Sequence, residues 1–456
     1  MINFDNILKT TKKTEKCRLG IIGSNGGFGY TFLAQIARME ETITLRAVCD
    51  LEIQKSIDIL TELGFCKSKL YPCLNEADIK KVPSDGIIIL NSAQLMASTD
   101  AHIVVEATGQ PEGSAINAEK CILAKKHVAM VSKEADVVAG PYLYQLSKKM
   151  GVTYSIAIGD QPANLINWLS YVKALGLEVI CAGKSSEYDF VYDLDSGRFQ
   201  YRDQEEYIPE LKAWWHMGND MEKTLAERSR LLSKYPQFAV PDYNEMNVVS
   251  NATGLLPSCP RLHYPMINVA EMADVYALKE DGGLIEKPGV LDSFNCFHRF
   301  DEVSFAGGVF AVVKSHNDKQ IEILEAKGHV ISKNRKYVAL YLPYHYMGME
   351  APMSVLQQYY LDLPTYSMCE HVSTMVCRAE RDFKKGEVLS LHTHHRCLQD
   401  MYCTFEPASG LSKDVAPYYL IAEKTVTRDI PKGSIITMDM VDLSSSALKR
   451  MIDSVK

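Results

Sequence analysis

The sequence predicts an α/β protein with three parts: an N-terminal parallel sheet covered by helices, a central mixed α+β domain and a small C-terminal β module. Apolar strand-like runs alternate with amphipathic helical stretches as far as about residue 154, and such alternation is typical of a doubly wound parallel sheet. Beyond residue 160 the alternation is lost, and near the C-terminus one short motif occurs twice. We therefore place the domains at residues 1–159, 160–365 and 366–456.

Composition and charge exclude several classes of ligand. The chain has 456 residues, 46% hydrophobic and 23% charged, with a net charge of -8 and no long basic run. This balance argues against a nucleic acid or an anionic membrane as the main ligand. The first residues lack the apolar core of a signal peptide, and no later run is long enough to cross a bilayer, so we expect a cytoplasmic protein. The 12 cysteines form no Cys-x-x-Cys pair, which indicates reduced, mostly buried thiols.

The first domain is predicted from its strands and the helices between them. The strands are short runs rich in branched residues: CRLGIIG, ITLRAVCD, HIVVEATG, HVAMVSK and GVTYSIA. Helices are predicted at Tyr30–Glu40, Ile53–Leu63 and Ser114–Lys125.

A glycine-rich loop, GSNGGFG, joins the first predicted strand to the first predicted helix. A pyrophosphate needs this combination of a strand, a turn free of side chains and a helix N-terminus. Asp50 ends the second strand about twenty residues later, where a carboxylate takes the ribose hydroxyls. The pattern predicts a Rossmann-like domain; the alternative is that the glycines only pack a turn. Asp50 favours NAD by charge, while nearby polar residues leave NADP open. The predicted cofactor-binding residues of this part are Gly23, Ser24, Asn25, Gly26, Gly27, Phe28, Gly29 and Asp50.

Two further strand ends belong to the same predicted edge of the sheet. Ala107, Thr108 and Gly109 follow one strand, and Lys133 and Glu134 follow the next. Ligands of such sheets lie at the carboxyl ends of the strands, so we add these residues to the cofactor site. The alternative is a pair of ordinary loops with surface charges.

The central domain is predicted to begin with a strand, LEVICAGK, that ends at Lys184. A polar and aromatic insertion follows, and strand-like sequence returns later. The insertion spans residues 185–237 with helices near Pro209–Met217 and Met221–Lys234, the strands lie around Val290–Val313, and a helix near 346–360 is expected to pack on the first domain.

The C-terminal module contains an internal repeat. Residues 379–390, AERDFKKGEVLS, and residues 426–437, VTRDIPKGSIIT, share Arg-Asp-x-x-Lys-Gly followed by an apolar pair. Lys-Gly at a fixed offset before a β-rich pair predicts a tight turn into a strand, used twice. Two units of this size indicate a small β-clip or barrel.

Carbonyl reduction needs a cation or metal to polarise the oxygen and a group to handle the proton. Lys184 is the predicted cation. Asp160 is either a site residue or the N-cap of a helix, and Glu245 is either a ligand for a metal or hydroxyl or a structural ion-pair partner. Asn251 is predicted to bind a substrate oxygen or to cap a turn, and His345 to act as an acid or to fill a polar corner. HTHHRC has ligand types for zinc or copper, but adjacent histidines cannot share one face of a strand.

Several blocks resemble the homoserine-dehydrogenase-like oxidoreductases that carry a C-terminal SAF domain, and within them the deoxyxylulose-phosphate reductoisomerase-like enzymes. The blocks are VVEATGQPEG, YSIAIGDQPANLINWLS, LEVICAGKSSEYD, EMNVVSNATGL, YLPYHYMGME and the two repeats. The glycine loop is similar to the NADPH-binding Gly-Ser-Thr-Gly-Ser-Ile-Gly loop of the classical reductoisomerases. The resemblance implies an NAD(P)H-dependent homodimer that converts 1-deoxy-D-xylulose 5-phosphate, an isoprenoid precursor, with a divalent Mg or Mn ion held by carboxylates.

One block departs from that family. Such enzymes carry Asp-Gly-Thr-Lys ahead of Asn-Ala-x-Gly-Leu, whereas this chain has FAVPDYNEMNVVSNATGL. Either the substrate differs or another cation does the work of that lysine. We expect an oxidoreductase acting on a small, anionic, hydroxylated carbonyl compound. The alternatives are reduction of a homoserine-type semialdehyde and a non-catalytic dinucleotide sensor.

Overall fold

The N-terminal part is built on a seven-stranded sheet in which all pairings are parallel. The computed structural model describes residues 3–392 and 396–455. The strand order is β3-β4-β2-β1-β5-β6-β7. The strands are β1 (Cys17–Ile22), β2 (Ile43–Cys49), β3 (Leu70–Cys73), β4 (Ile87–Leu90), β5 (Ile103–Glu106), β6 (His127–Met130) and β7 (Tyr154–Ile156). The predicted parallel α/β fold is confirmed. The prediction missed β3 and β4, because four-residue apolar runs cannot be told from pieces of a buried helix.

Helices cover both faces of this sheet. They are α1 (Phe4–Thr10), α2 (Gly27–Ile36), α3 (Ile53–Glu62), α4 (Glu76–Ile79), α5 (Pro111–Leu123) and α6 (Lys133–Met150). Successive strand residues belong to opposite cores: Ile21 and Val105 to one, Ile22 and Val104 to the other. After β1 the chain forms β2, β3 and β4, which lie on one flank of β1 in the strand order, and it then crosses to β5 on the other flank. The carboxyl ends of β1 and β5 therefore flank a crevice, the usual ligand position in such sheets.

A mixed nine-stranded sheet forms the central part. Its strands are β8 (Glu178–Tyr192), β9 (Arg198–Tyr201), β10 (Gln204–Tyr207), β11 (Leu256–Pro257), β12 (Met266–Ile267), β13 (Val290–His298), β14 (Val309–Lys314), β15 (Val330–Ile331) and β16 (Tyr337–Leu342). The predicted end of β8 at Lys184 is wrong, since the strand continues to Tyr192. The two helices predicted in the region that follows are confirmed, as a 3-10 helix at Pro209–Trp214 and an α-helix at Met221–Leu231. The second half of β8, residues 185–191, pairs with β13, and this non-local pairing is not visible in the local sequence.

The remaining helices connect the parts of the molecule. They are α7 (Gln161–Ala174), α8 (Met221–Leu231), α9 (Val240–Thr253), α10 (Met272–Val275), α11 (Asp318–Ala326), α12 (Pro352–Leu361) and α13 (Ala447–Asp453). The helix expected near 346–360 begins only at Pro352, a residue suited to the first turn. Helix α12 packs on α2, β1 and β6 of the first sheet. Helix α9 is buried from Asp242 to Ala252.

The two repeats pair with each other in the C-terminal part. Phe383 and Ile430 exchange two backbone hydrogen bonds of 2.9 Å. Asp382 accepts from the backbone N–H of Lys432 at 2.7 Å, and Asp429 accepts from that of Lys385 at 3.0 Å. Each repeat thus closes the turn of the other, which explains why both keep Asp and Lys-Gly. The strands β17 (Ser373–Ala379) and β18 (Met401–Pro407) form an antiparallel pair beside them.

The C-terminal part docks on the other two. Helix α13 packs against α5 and α6, and Arg450 donates two hydrogen bonds, of 2.9 and 2.6 Å, to Glu119. From α9, Asn247 donates to the carbonyl of Ser373 at 2.8 Å. Among the helices in the described ranges, none combines the length and the apolarity that a bilayer span requires.

Candidate active site

The glycine loop follows β1, and its glycines have two different functions. Gly23 has φ +91°, and a Cβ there would lie 2.6 Å from the carbonyl oxygen of Ala107. A Cβ on Gly29 would lie 2.5 Å from the carbonyl oxygen of Ser24, a buried residue. These two positions need glycine for packing. A Cβ on Gly26 or Gly27, in contrast, would meet no other part of the described chain within 4 Å. These two glycines leave the N-terminus of α2 open to a phosphate.

This division predicts opposite effects of two substitutions. In Gly26→Asp the new residue is a preferred N-cap of α2, so we expect unchanged or higher stability. The added carboxylate would repel a pyrophosphate, and we expect NADH binding to weaken by about a hundredfold or more. Gly29→Ala is expected to cost about 1–3 kcal/mol of unfolding free energy through overpacking. Urea unfolding and NADH fluorescence titration measure both; loss of stability in Gly26→Asp would contradict the assignment.

Asp50 fixes the glycine loop to the end of β2. Its carboxylate accepts hydrogen bonds from the backbone N–H groups of Asn25 at 2.7 Å and Leu51 at 2.8 Å. It therefore has a structural function in addition to the predicted contact with the cofactor. Phe28, also in the loop, stacks on Phe32 with ring centroids 6.0 Å apart.

Removing the charge of Asp50 separates these two functions. Asp50→Asn keeps an oxygen that can accept from Asn25 but loses the negative charge that a 2′-phosphate would meet. We expect NADPH to gain about tenfold in affinity relative to NADH, the value of one charge-assisted hydrogen bond. Paired titrations with the two cofactors measure the ratio, and an unchanged ratio would show that Asp50 does not contact the ribose.

Glu106, at the end of β5, was not predicted. Its buried carboxylate accepts from the hydroxyls of Thr108 at 2.7 Å and Ser132 at 2.5 Å. Ser132 in turn accepts from the backbone N–H of Gly109 at 2.8 Å. Burial raises the pKa of Glu106, and the hydroxyl donors offset part of that effect. This network holds the Ala107–Gly109 turn beside the start of α6, and an acid within the apolar run IVVE was its sequence signal.

A chain of alternating charges joins the two sheets. Lys133 Nζ, at the start of α6, donates to Asp160 at 2.5 Å and to Glu245 at 2.6 Å. Lys184 donates to the same Glu245 and, at 2.7 Å, to Asp242. Glu245 and Asp242 both lie on α9, three residues apart and therefore on one face. Five charges thus alternate in sign across the domain boundary.

This alternation sets the ionisation states. Burial disfavours charge on Glu245, but the ammonium groups of Lys133 and Lys184 outweigh it and lower its pKa to about 2. Burial likewise disfavours the ammonium form of both lysines, and their carboxylate partners raise the pKa of each well above its ordinary value. Both lysines are therefore cations at neutral pH, able to donate hydrogen bonds and unable to act as bases.

The structure changes the predicted role of Lys184. The residue does not end a strand; it lies within β8 and is fully buried. Its ammonium is enclosed by Asp242 and Glu245, so it positions Glu245 and does not face a ligand. Lys133 keeps 18% of its side-chain surface exposed and lies at the carboxyl edge of the first sheet. Lys133 is thus the cation available to a substrate.

The other predicted site residues lie in different surroundings. Asp160 is the N-cap of α7, since one oxygen accepts from the N–H of Gln161; the other accepts from Lys133, and its role in a site stays a prediction. Asn251 is buried, and its Oδ1 accepts from the N–H groups of Val372 and Ser373. Its Nδ2, the atom that would donate to a substrate oxygen, has no hydrogen-bond partner among the described residues, so that contact stays a prediction. His345 is 2.9 Å from the carbonyl of Gly307. In HTHHRC, residues 393–395 lie outside the described residues.

A cavity of about 240 Å³ opens beside Lys133. We call it the lysine cavity; its walls are Lys133, Glu134, Glu187, Pro241, Asn244, Glu245, Arg396 and Tyr419. Sequence reasoning missed Asn244, Arg396 and Tyr419, which come together only in the folded chain. Two larger cavities, of about 650 and 940 Å³, are lined by other residues and lie away from the charge chain.

The carboxylates of the charge chain do not fit a divalent metal. Asp160, Asp242 and Glu245 each accept a hydrogen bond from a lysine ammonium, and these two cations occupy the positions in which an ion would be coordinated. These two ammonium groups would repel a divalent ion placed beside the same carboxylates.

Two family matches cover most of the chain. Residues 25–157 match the homoserine dehydrogenase NAD-binding domain, and residues 159–351 match the catalytic domain of oxidoreductase DRL. No curated protein matches the chain.

Several solved structures are similar to parts of the chain. Scyllo-inositol dehydrogenase from Lactobacillus casei, solved with NAD(H) and scyllo-inositol, is 11% identical with a TM-score of 0.37, over 76% of this chain and 88% of that one. DOX-P reductoisomerase with magnesium is 14% identical with a TM-score of 0.29, over 52% and 54%. An oxidoreductase domain protein from Kribbella flavida is 13% identical with a TM-score of 0.28, over 40% and 45%.

TM-scores this low do not establish a shared fold, and the chain spans only about half of the last two structures. The two family matches carry the conclusion instead. The first match begins within the glycine loop, at residue 25, and the charge chain joins residues of both matched regions. The chain therefore joins a homoserine dehydrogenase-type NAD-binding domain to an oxidoreductase catalytic domain.

Proposed function

We propose that the protein reduces the carbonyl group of a small hydroxylated compound with NAD(P)H in the lysine cavity. The observation that carries this proposal is the position of Lys133, a partly exposed cation held by two carboxylates at the carboxyl edge of the dinucleotide-binding sheet. NAD(P)H, when bound on the glycine loop, supplies a hydride. A carbonyl oxygen that receives negative charge at this edge needs a fixed hydrogen-bond donor.

The residues of the charge chain divide the work. Lys133 donates a hydrogen bond to the substrate oxygen and stabilises the charge that develops on it, and the alkoxide formed by hydride transfer then takes a proton from solvent water. Asp160 and Glu245 hold the Lys133 ammonium in place from two sides, and Lys184 fixes Glu245 from behind. Because these groups are arranged before the substrate binds, little reorganisation is needed during the reaction.

The lysine-paired carboxylates favour simple reduction over reductoisomerisation. Breaking and remaking a carbon–carbon bond is favoured by a metal chelated by the substrate hydroxyls, and the charge chain is filled by lysines instead. Reduction of a homoserine-type semialdehyde is therefore favoured over conversion of 1-deoxy-D-xylulose 5-phosphate, and the match to a homoserine dehydrogenase NAD-binding domain supports it.

The test is NAD(P)H oxidation on a panel of semialdehydes, hydroxylated aldehydes and ketones, and 1-deoxy-D-xylulose 5-phosphate, with and without Mg²⁺ or Mn²⁺. Turnover of any panel compound without added metal, lost in Lys133→Met, is the expected result. Turnover of 1-deoxy-D-xylulose 5-phosphate that depends on metal would support the reductoisomerase instead. Cofactor binding with no turnover on the whole panel would favour a dinucleotide sensor.

A further inference from the structure

Three residues of the lysine cavity have no part in the chemistry proposed above. Asn244 lies on α9, next to Glu245, whereas Arg396 and Tyr419 come from the C-terminal part. The cavity is thus closed by a region outside both matched domains. What these three side chains offer defines what the cavity can hold.

Asn244 presents an acceptor with no partner. The residue is 1% exposed, and its buried Oδ1 accepts no hydrogen bond from the described part of the chain. An unsatisfied buried acceptor is costly, and native structures retain few of them. A ligand hydroxyl or N–H group in the cavity would satisfy this oxygen.

Tyr419 provides a second, independent observation of the same kind. It is 1% exposed, and its buried hydroxyl likewise lacks a partner within residues 3–392 and 396–455. Because a phenol both donates and accepts, it suits a ligand oxygen of either type. Two residues from distant segments, each with an unpartnered buried polar atom, therefore line one small cavity.

Arg396 adds a cation at the cofactor edge. Its Nη2 lies 3.4 Å from the carbonyl oxygen of Thr108, and a Cβ on Gly109 would come within 3.1 Å of the same nitrogen. The guanidinium thus reaches from the C-terminal part to the carboxyl end of β5. Arginine binds carboxylate and phosphate groups through paired hydrogen bonds, which a lysine cannot do.

Two acids also face the cavity and bear on its charge. Burial raises the pKa of Glu134 and of Glu187, and the Arg396 guanidinium attracts Glu134. Each of these two carboxylates therefore takes up a proton at a higher pH than an exposed carboxylate does. A volume of about 240 Å³ corresponds to roughly eight water molecules, so the ligand part inside it is small.

We propose that the substrate carries a carboxylate or phosphate that binds Arg396, and a hydroxyl that donates to Asn244 Oδ1, with the Tyr419 hydroxyl bonded to a further ligand oxygen. The C-terminal part is then a component of the active site and selects anionic, hydroxylated carbonyl compounds. This proposal rests on the reduction proposed above for the same cavity.

Binding measurements test the proposal without requiring turnover. Full-length protein with NADH would be titrated by calorimetry with D-glycerate, D-erythronate, D-glycerol 3-phosphate and D-erythrose 4-phosphate, and with the uncharged polyols glycerol and erythritol. We expect at least one acid to bind and its polyol not to bind. The pairs of carboxylates and phosphates distinguish the two anions. Arg396→Gln should lower the affinity for the acid by at least about tenfold, as loss of a charged hydrogen bond does.

Two further variants separate ligand contacts from folding. Asn244→Leu removes the unpartnered acceptor, so it should leave the melting temperature unchanged or higher while acid binding weakens by about tenfold. Arg428→Gln is the matched control, because Arg428 is an exposed C-terminal arginine paired with Asp439. It should bind the acid as the wild type does.

The outcomes are distinct from those of the reductase assay. Binding of an acid that depends on Arg396, in a protein that reduces no carbonyl compound, would support the anion site and remove the proposed reaction. Failure of all four acids to bind in the presence of NADH would overturn the anion site. Unchanged acid binding in Arg396→Gln, with weaker NADPH binding, would overturn it too, because the arginine would then serve the cofactor.

Discussion

Replacing Lys133 with methionine is expected to lower kcat for carbonyl reduction by about 10²- to 10³-fold, the usual effect of removing one donor to a developing oxyanion. Lys133 is the cation of the charge chain that faces the lysine cavity, and Asp160 and Glu245 hold it. NADH affinity should change little, since the glycine loop is untouched. Steady-state rates and NADH titration of the same preparation measure the two effects.

The control lies on the same helix. Lys149→Met, near the C-terminal end of α6, removes an exposed lysine and should leave kcat unchanged. The pH profile adds a second check. Because the pKa of Lys133 is raised, its ammonium stays charged up to about pH 10. Deprotonation of Lys133 should therefore not lower the wild-type rate below that pH. Near-normal kcat in Lys133→Met would show that another group polarises the carbonyl.

Replacing Lys184 with methionine is expected to cost about 3–5 kcal/mol of unfolding free energy, the usual effect of breaking a buried ion pair. Glu245 would keep Lys133 as a partner, but Asp242 would lose its ammonium and keep neutral donors such as the hydroxyl of Ser186, at 2.7 Å. An unpaired, fully buried carboxylate is strongly unfavourable. Urea unfolding near neutral pH measures the loss.

A second substitution identifies the cause. In Lys184→Met with Asp242→Asn the uncompensated charge is gone, and we expect most of the lost stability to return. The pH dependence has a definite sign. Burial already raises the pKa of Asp242, and removing Lys184 raises it further, so the folded state prefers the protonated acid. The loss in Lys184→Met should therefore shrink as the pH falls towards about 5 and grow towards about 8. An equal loss in the double variant would point to a packing defect instead.

The fold of the first domain was largely predictable because its signals are local. Strand and helix periods alternate along the chain, and Pro111 and the glycines mark the starts of helices. The repeats were equally visible, since each turn has its own Asp and Lys-Gly. The errors came from non-local pairing: β8 extends past Lys184 because β13 pairs with it, although β13 lies about a hundred residues further along the chain.

The site was predicted only in part. Asp160, Glu245 and Lys133 were named as candidates, but nothing local indicates that Glu245 bonds to two lysines from different strands and helices. Asp242 was missed, although its spacing of three from Glu245 on a helix could have suggested a shared face. Asn251 was selected for its residue type, whereas its oxygen binds the backbone of the C-terminal part.

By itself, the sequence determined the parallel sheet and the glycine loop at its first crossover. These follow from periodicity and from residues that lie within a few positions of one another. Only the tertiary structure decided which lysine lines the cavity, because burial of Lys184 and partial exposure of Lys133 depend on how α9 packs between α6 and the central sheet. The same is true of Arg396 and Tyr419, whose contact with the cavity depends on how the C-terminal part docks on the rest of the chain.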